Sequence, residues 1–295
     1  MKLLLRPFGW LSLRANQAVG AILGRLVYLL APRYRKRLLA NLRESQVCTS
    51  PSSLRSLALA NAAEVGKSAT ELVWTLYRET QEAVDTVRSR IGWEAVRRIR
   101  DEGRAIVFVT PHLGAYDIMG RYLWASIPSG TISMYRPHKM RWLDALLREG
   151  RARGLTESGN PIAPANLSGV RRILKHLKAG GCTLVLPDQV PTVGEGEWVE
   201  FFGKPAYTMT LVGRLQQATN AAVVFCYAER LPDGQGFIAH FHPLEDPLPD
   251  DKVAAARVLN REIEKLVRRC PEQYLWAYNR YKRPAGAPPP PEPAR

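Results

Sequence analysis

The chain has no CxxC pair. Its four cysteines, Cys48, Cys182, Cys226 and Cys270, stand far apart, which argues against a zinc ribbon and fits ordinary thiols of a reducing compartment. It also has no cluster of His, Cys, Asp or Glu at metal-ligand spacing and no glycine-rich nucleotide loop, so no cofactor and no metal are expected. No charge-free apolar run reaches the roughly 20 residues that span a bilayer, because Arg6, Arg14 and Arg25 interrupt the apolar stretch from Leu3 to Ala31. The same arginines, with no small-residue cleavage site behind them, argue against a cleaved signal peptide. Acid is missing from the first 43 residues, which carry nine Lys or Arg. No internal repeat is present.

What is there is a core-forming composition with a basic surplus. Of 295 residues, 46% are hydrophobic, enough for one large domain or two small ones. Lys and Arg outnumber Asp and Glu by 42 to 27, a net charge of +15. Such a surplus suits an anionic partner, whether a membrane surface, a nucleic acid, an acidic protein or a phosphorylated substrate.

Residues 1–90 read as helical throughout and without strands. Arg14 and Arg25 lie about three helical turns apart and share a face. This segment reads as a membrane-associating helical extension, lying in the interface with its arginines reaching phosphates. A tilted span and an amphipathic helix packed on its own domain stay open as alternatives. Pro32 opens a second helix with the basic cluster Arg33 to Arg37, and Ser50 caps a third beginning at Pro51. From Trp93 the pattern alternates helices with short apolar strands. Strands are predicted at Ala105–Val109, Thr131–Met134, Cys182–Leu186 and Ala221–Ala228, the last turned by Asp233-Gly234 into a hairpin with Phe237–Phe241. A Gly-rich loop carries Trp198, Phe201 and Phe202, and a helix follows near 207–219. In the final helix, capped by Asp250, Val253, Ala256, Leu259, Ile263, Leu266 and Cys270 share a face. Residues 91–284 therefore form an α/β domain with a mixed, mostly parallel sheet flanked by helices. Residues 285–295 form a Pro-rich tail expected to be disordered.

The residues that carry chemistry collect where strands end, the edge at which open α/β sheets place their sites. His112 falls in the turn after the first strand, and Asp117 comes five positions later in the following helix. A carboxylate reaching back to the ring would fix its tautomer and leave Nε2 free to take a proton from a hydroxyl. The same spacing also fits a solvated histidine beside a helix-capping aspartate. Arg136 follows the next strand, and Asp188-Gln189 follow the one after. Singly, these fit an ion pair and a turn.

In order, the segments HLGAYD (112–117), MYRP (134–137), GRAR (150–153), PDQ (187–189), WVEFFG (198–203), AYT (206–208) and PEQYLWAYNRYK (271–282) resemble the lipid A biosynthesis acyltransferases. These belong to the HxxxxD lysophospholipid acyltransferase superfamily, and the resemblance runs to about Pro284. It implies a glycerol-3-phosphate acyltransferase-like fold at the cytoplasmic face of the inner membrane. It also implies transfer of a fatty acyl group from an acyl carrier protein thioester to a hydroxyl of a phosphorylated glycolipid acceptor, a lipid A precursor. His112 would be the general base and Asp117 its orienting partner. Arg136 would bind phosphate or support the oxyanion. Asp188 and Gln189 would line the acceptor side. Arg151 and Arg153 would meet phosphate or the acidic carrier protein. No Ser or Cys stands beside His112 in the motif, so direct attack in a ternary complex is expected, although a nucleophile brought in by the fold stays open. The thioester is already activated, which agrees with the absence of a cofactor.

Two alternatives remain. One is the same chemistry on a lysophospholipid, an amino-acid lipid or another glycolipid. The other is a non-catalytic basic protein bound to membrane phospholipid. Nucleic acid is not expected as a partner, since the basic residues are scattered over many helices with no recognition module.

Overall fold

The computed structural model of the protein describes residues 2–127, 130–135, 140–152 and 162–291, apart from the side chains of 2–4, 151 and 152. Five helices come first: α1 (Lys2–Trp10), α2 (Leu13–Leu30), α3 (Pro32–Glu44), α4 (Pro51–Leu76) and α5 (Thr80–Val84). Then follow β1 (Val87–Ile91), α6 (Trp93–Asp101), β2 (Ile106–Val109), α7 (Tyr116–Ser126), β3 (Thr131–Tyr135), α8 (Arg141–Ala152), β4 (Ile162–Pro164), α9 (Leu167–Lys178) and β5 (Cys182–Val185). The chain continues through β6 (Gly196–Phe201), β7 (Lys204–Met209), α10 (Leu211–Thr219), β8 (Ala222–Arg230), β9 (Phe237–Pro243) and α11 (Lys252–Val267).

Seven strands form one sheet in the order β1-β9-β8-β2-β5-β3-β4, and β6 with β7 makes a separate hairpin. The β8–β9 pair is antiparallel, and the other neighbours in the large sheet run parallel. The α/β class with a mixed, mostly parallel sheet is thus what the chain adopts. β2 sits between β5 and β8 with all four residues buried. Ile106 and Phe108 face one core with α7 residues Ile118, Met119, Tyr122 and Leu123. Val107 and Val109 face the other, with Leu215, Leu259, Ile263 and Trp276. A strand covered on both faces reads as an unbroken apolar run, which is why β2 and β5 are plain in the sequence.

The N-terminal helices pack tightly on the rest. α2 approaches α4 so closely that a Cβ on Gly24 would lie 1.9 Å from the Ala62 carbonyl oxygen. Polar groups seal the contact: Asn16 Nδ2 donates to Thr70 O at 3.3 Å and Gln17 Nε2 to Glu71 Oε1 at 2.8 Å. Glu71 and Glu64 in turn hold the buried Arg230 of β8 at 2.6 and 2.7 Å. In this way α2, α4 and the sheet are joined by one buried polar network. No helix among the described residues is long and apolar enough to cross a membrane.

Five local expectations change. The segment before residue 91 is not strand-free, because β1 pairs with β9. Its sequence, VRSRI, lacks apolar alternation since this is a mostly exposed edge strand, where charged residues discourage pairing with other chains. The loop expected around Trp198 is the β6–β7 hairpin, and the helix expected from 207 starts only at Leu211. α11 is capped by Asp251, whose side chain accepts from Ala254 N, one residue later than expected. The tail is ordered at its start: Trp198 Nε1 donates to Pro288 O at 3.0 Å, and Ala287 is buried.

Candidate active site

The turn between β2 and α7 is held along its length by backbone bonds. Thr110 N donates to Val185 O of β5 at 3.0 Å, and Ala115 N donates to Ala228 O of β8 at 2.8 Å. The His112 carbonyl accepts from Leu275 N at 3.1 Å, and Gly114 N donates to Gln273 O at 3.1 Å. Gly114 has φ +62°, and a Cβ there would lie 2.0 Å from Ala228 O, so the glycine of HLGAYD is dictated by the backbone.

Segment 271–278 thus lies along the histidine turn, and helix asparagines fix it. Asn61 of α4 donates to Glu272 O and Tyr274 O at 2.8 and 2.6 Å. Asn41 of α3 donates to Trp276 O and Tyr278 O at 2.6 and 3.1 Å. The Gln273 side chain pairs with the Arg230 backbone through two bonds, at 2.9 and 3.0 Å.

The ring of His112 is 14% exposed and meets Asp188. Nδ1 lies 2.8 Å from Asp188 Oδ1, while the His112 backbone N–H donates to Oδ2 at 2.9 Å. Both carboxylate oxygens are thus committed to one residue, and the Tyr274 hydroxyl lies near the same carboxylate. Burial opposes ionisation of Asp188. The His112 charge, the His112 hydrogen bonds and the charge of Arg280 outweigh it and hold the carboxyl below its ordinary range. Burial, followed by the Asp188 charge, pushes the Tyr274 hydroxyl well above its ordinary value, so it stays protonated. Arg280 is itself buried, with Nη1 on Tyr207 O at 2.8 Å and Nη2 on Thr208 Oγ1 at 2.7 Å. An ionised Asp188 keeps the ring proton on Nδ1 and leaves a lone pair at Nε2, where Gln189 Nε2 stands at 3.1 Å.

Asp117 is placed otherwise than expected. It accepts from Thr75 Oγ1 of α4 at 2.9 Å and pairs with the fully buried Arg121 at 3.4 Å. Arg121 also donates to Gly150 O of α8 at 3.0 Å. The contact with the His112 ring that was expected of Asp117 is made in this structure by Asp188. From HxxxxD alone the two could not be told apart, because which strand end lies beside β2 is a matter of sheet order. Arg136 and Arg153, and the side chain of Arg151, lie outside the described residues. Tyr274, Arg280 and Arg230 were missed, although Tyr274 and Arg280 belong to the C-terminal signature.

His112, Tyr116, Asp117 and Gln189 open on a cavity of about 410 Å³. Apolar groups line most of it, among them Trp124, Met134, Leu184, Leu186, Met209 and Leu211. A proton acceptor thus stands in the wall of a mostly apolar cavity. Among the described residues no group of side chains is arranged to hold a metal ion.

The chain matches the sequence profile of the bacterial lipid A biosynthesis acyltransferases over residues 4–283. It belongs to that family. It is 30% identical to the lipid A biosynthesis acyltransferase of Haemophilus influenzae over 63% of this chain and 56% of that protein. To the lipid A biosynthesis lauroyltransferase of Escherichia coli it is also 30% identical, over 67% of this chain and 63% of the relative. The Escherichia coli lipid A biosynthesis myristoyltransferase is 27% identical over 65% of this chain and 59% of its own length. The chain thus spans between 56% and 63% of the length of these relatives.

Proposed function

We propose that this protein transfers a fatty acyl group from an acyl carrier protein thioester to a hydroxyl of a lipid A precursor. The observation that carries the reading is the His112–Asp188 pair at the edge of the apolar cavity. Nε2 takes the proton of the acceptor hydroxyl as its oxygen attacks the thioester carbonyl, and the C–S bond breaks to release the thiolate. Asp188 holds the tautomer and stabilises the imidazolium, as a buried carboxylate does in hydrolase triads. The acyl chain occupies the cavity, whose size and apolar lining suit a small-molecule site. Asp117, tied to Thr75 and Arg121, shapes the cavity wall and sets the first turn of α7. Arg136, Arg151 and Arg153 enter on the family resemblance alone, as cations for acceptor phosphate or for the carrier protein.

The protein works at an anionic membrane surface in this reading. α2 turns Ile22, Leu23, Leu26, Val27, Leu29 and Leu30 outward, each at least 44% exposed, with Arg25 among them. A folded helix that leaves such residues in water fits an interfacial location. The cytoplasmic face of the inner membrane is where a carrier-protein donor and a lipid acceptor meet.

The deciding assay is transfer of labelled acyl chain from acyl carrier protein to a lipid A precursor, with His112→Ala and Asp188→Asn alongside. Loss of the base should cost about 10² to 10⁴ in rate in protein that remains folded. Full turnover by His112→Ala would remove His112 from the chemistry. The roles of the two aspartates separate in ¹⁵N spectra of the imidazole. Asp188→Asn should redistribute the His112 ring proton between its nitrogens, and Asp117→Asn should leave it on Nδ1.

A further inference from the structure

The turn that supplies Asp188 also supplies the residue on the opposite side of the ring. Asp188 keeps the proton on Nδ1, so Nε2 carries the lone pair that the reaction needs. The Gln189 amide, 3.1 Å away, donates to that lone pair. Among the described residues, Gln189 makes no other side-chain hydrogen bond. The two neighbours differ in how firmly they are held. Asp188 is 3% exposed and bonded through both oxygens, whereas Gln189 is half-buried and lines the cavity beside Val190 and Pro191. Its side chain thus has open space to swing into.

We propose that Gln189 is a removable cap on the His112 base. The proposal rests on the acyl-transfer reading given above. With a thioester bound and no acceptor, the amide occupies Nε2 and water is not activated there. The arriving acceptor hydroxyl takes the place of the amide. The reaction so restrained is hydrolysis: water adds to the thioester carbonyl and gives a proton to Nε2. The C–S bond then breaks and the thiolate receives that proton, yielding fatty acid and free thiol. A donor to the lone pair of a base lowers its availability until a better-placed partner displaces it. Gln189 is then a positioning residue that couples proton abstraction to acceptor binding.

The test compares the full chain with Gln189→Ala and Gln189→Leu. Diethyl pyrocarbonate modifies an imidazole nitrogen through its lone pair, and peptide mass spectrometry reads each of the five histidines separately. Both variants should react several-fold faster at His112, with the other four rates unchanged. The ¹⁵N resonance of Nε2 should shift toward that of a lone pair without a donor while Nδ1 stays protonated. Without acceptor, both variants should hydrolyse acyl carrier protein thioester several-fold faster, and His112→Ala in the same chain should abolish the increase. Unchanged modification and an unchanged Nε2 resonance would overturn the cap. A freed Nε2 with unchanged hydrolysis, in protein that still transfers acyl groups, would overturn the restraint on water. Protein that transfers nothing while Nε2 is freed would instead overturn the acyl-transfer reading and leave the cap standing.

Discussion

α2 and α11 are both amphipathic, and they are packed in opposite senses. α11 buries Ala255, Ala256, Leu259, Ile263 and Leu266 against the sheet, as a surface helix of a globular domain does. α2 buries Asn16, Gln17, Gly20, Ala21, Gly24 and Tyr28 and leaves Leu23, Leu26, Leu29 and Leu30 exposed. Amphipathic spacing says that a helix has two faces; it does not say which one meets the protein. What turns α2 is the pair Gly20 and Gly24, which admits the α4 backbone at Gly66, together with amide and carboxylate groups that pair across the contact. Small residues four apart are how helices approach closely where the apolar face has another destination.

The largest effect that would break this contrast is on membrane binding. Ile22→Ser, Leu26→Ser and Leu30→Ser together should lower partition onto anionic vesicles by at least about 4 kcal/mol, roughly a thousandfold, since each apolar side chain contributes about 1.5–3 kcal/mol when buried. Thermal unfolding should stay within the roughly 0.5 kcal/mol of a surface change. Undiminished co-sedimentation with vesicles would place the docking face elsewhere. Point substitutions serve better than removing residues 1–30, because that deletion would also expose α4 and strip Gln17 from Glu71.

On α11 the same chemistry should report the opposite way. Ile263 is fully buried, and Ile263→Ala should destabilise by about 2–4 kcal/mol in denaturant unfolding while vesicle binding is unchanged. A smaller effect is expected where α2 touches α4. Gly24→Val meets the Ala62 carbonyl, a backbone group that cannot swing aside, and should cost about 1–3 kcal/mol. A neutral result would mean that α2 is free to lift from α4.

These contrasts show what the sequence could disclose. β2, β5 and β8 were legible because strands buried on both faces are apolar without interruption, and α11 because its apolar stripe faces inward. β1 and the β6–β7 hairpin were not, since an exposed edge and a small outlying hairpin carry no such run. At the site, His112 and the PDQ turn could be picked out as strand-end residues. Their partnership could not, because β5 lies beside β2 only through the sheet order, and Asp117 is nearer in sequence. Arg230 meets Glu71, and Asn61 meets Tyr274, across more than 150 positions of chain, and no local pattern announces such contacts.

The smallest expected effect separates the two helices by acid. Near the end of α11, the ring of Tyr227 on β8 stacks on that of His240 on β9 at 4.5 Å, with His242 beyond them. Burial, then the charges of Arg269 and His240, push His242 down to about 4 against the opposing charge of Glu262. Burial lowers His240 as well, although Glu229 bonds its Nε2 at 2.8 Å. A histidine whose folded value lies below its unfolded one takes up its proton more readily when unfolded. The stability it contributes is complete above about pH 6.5, falls as the pH drops toward about 4, and changes no further below that. The ring is half-buried, so the loss should be at most about 1 kcal/mol after solvent screening. His242→Gln should flatten the stability profile between pH 6.5 and 4, read by denaturant unfolding at several pH values. Hydrogen exchange at pH 5 should quicken in β9 and α11 before α2 and α4, whose contact contains no histidine. Equal quickening in both regions would mean that the acid sensitivity lies in the buried carboxylates around Arg230 and not beneath α11.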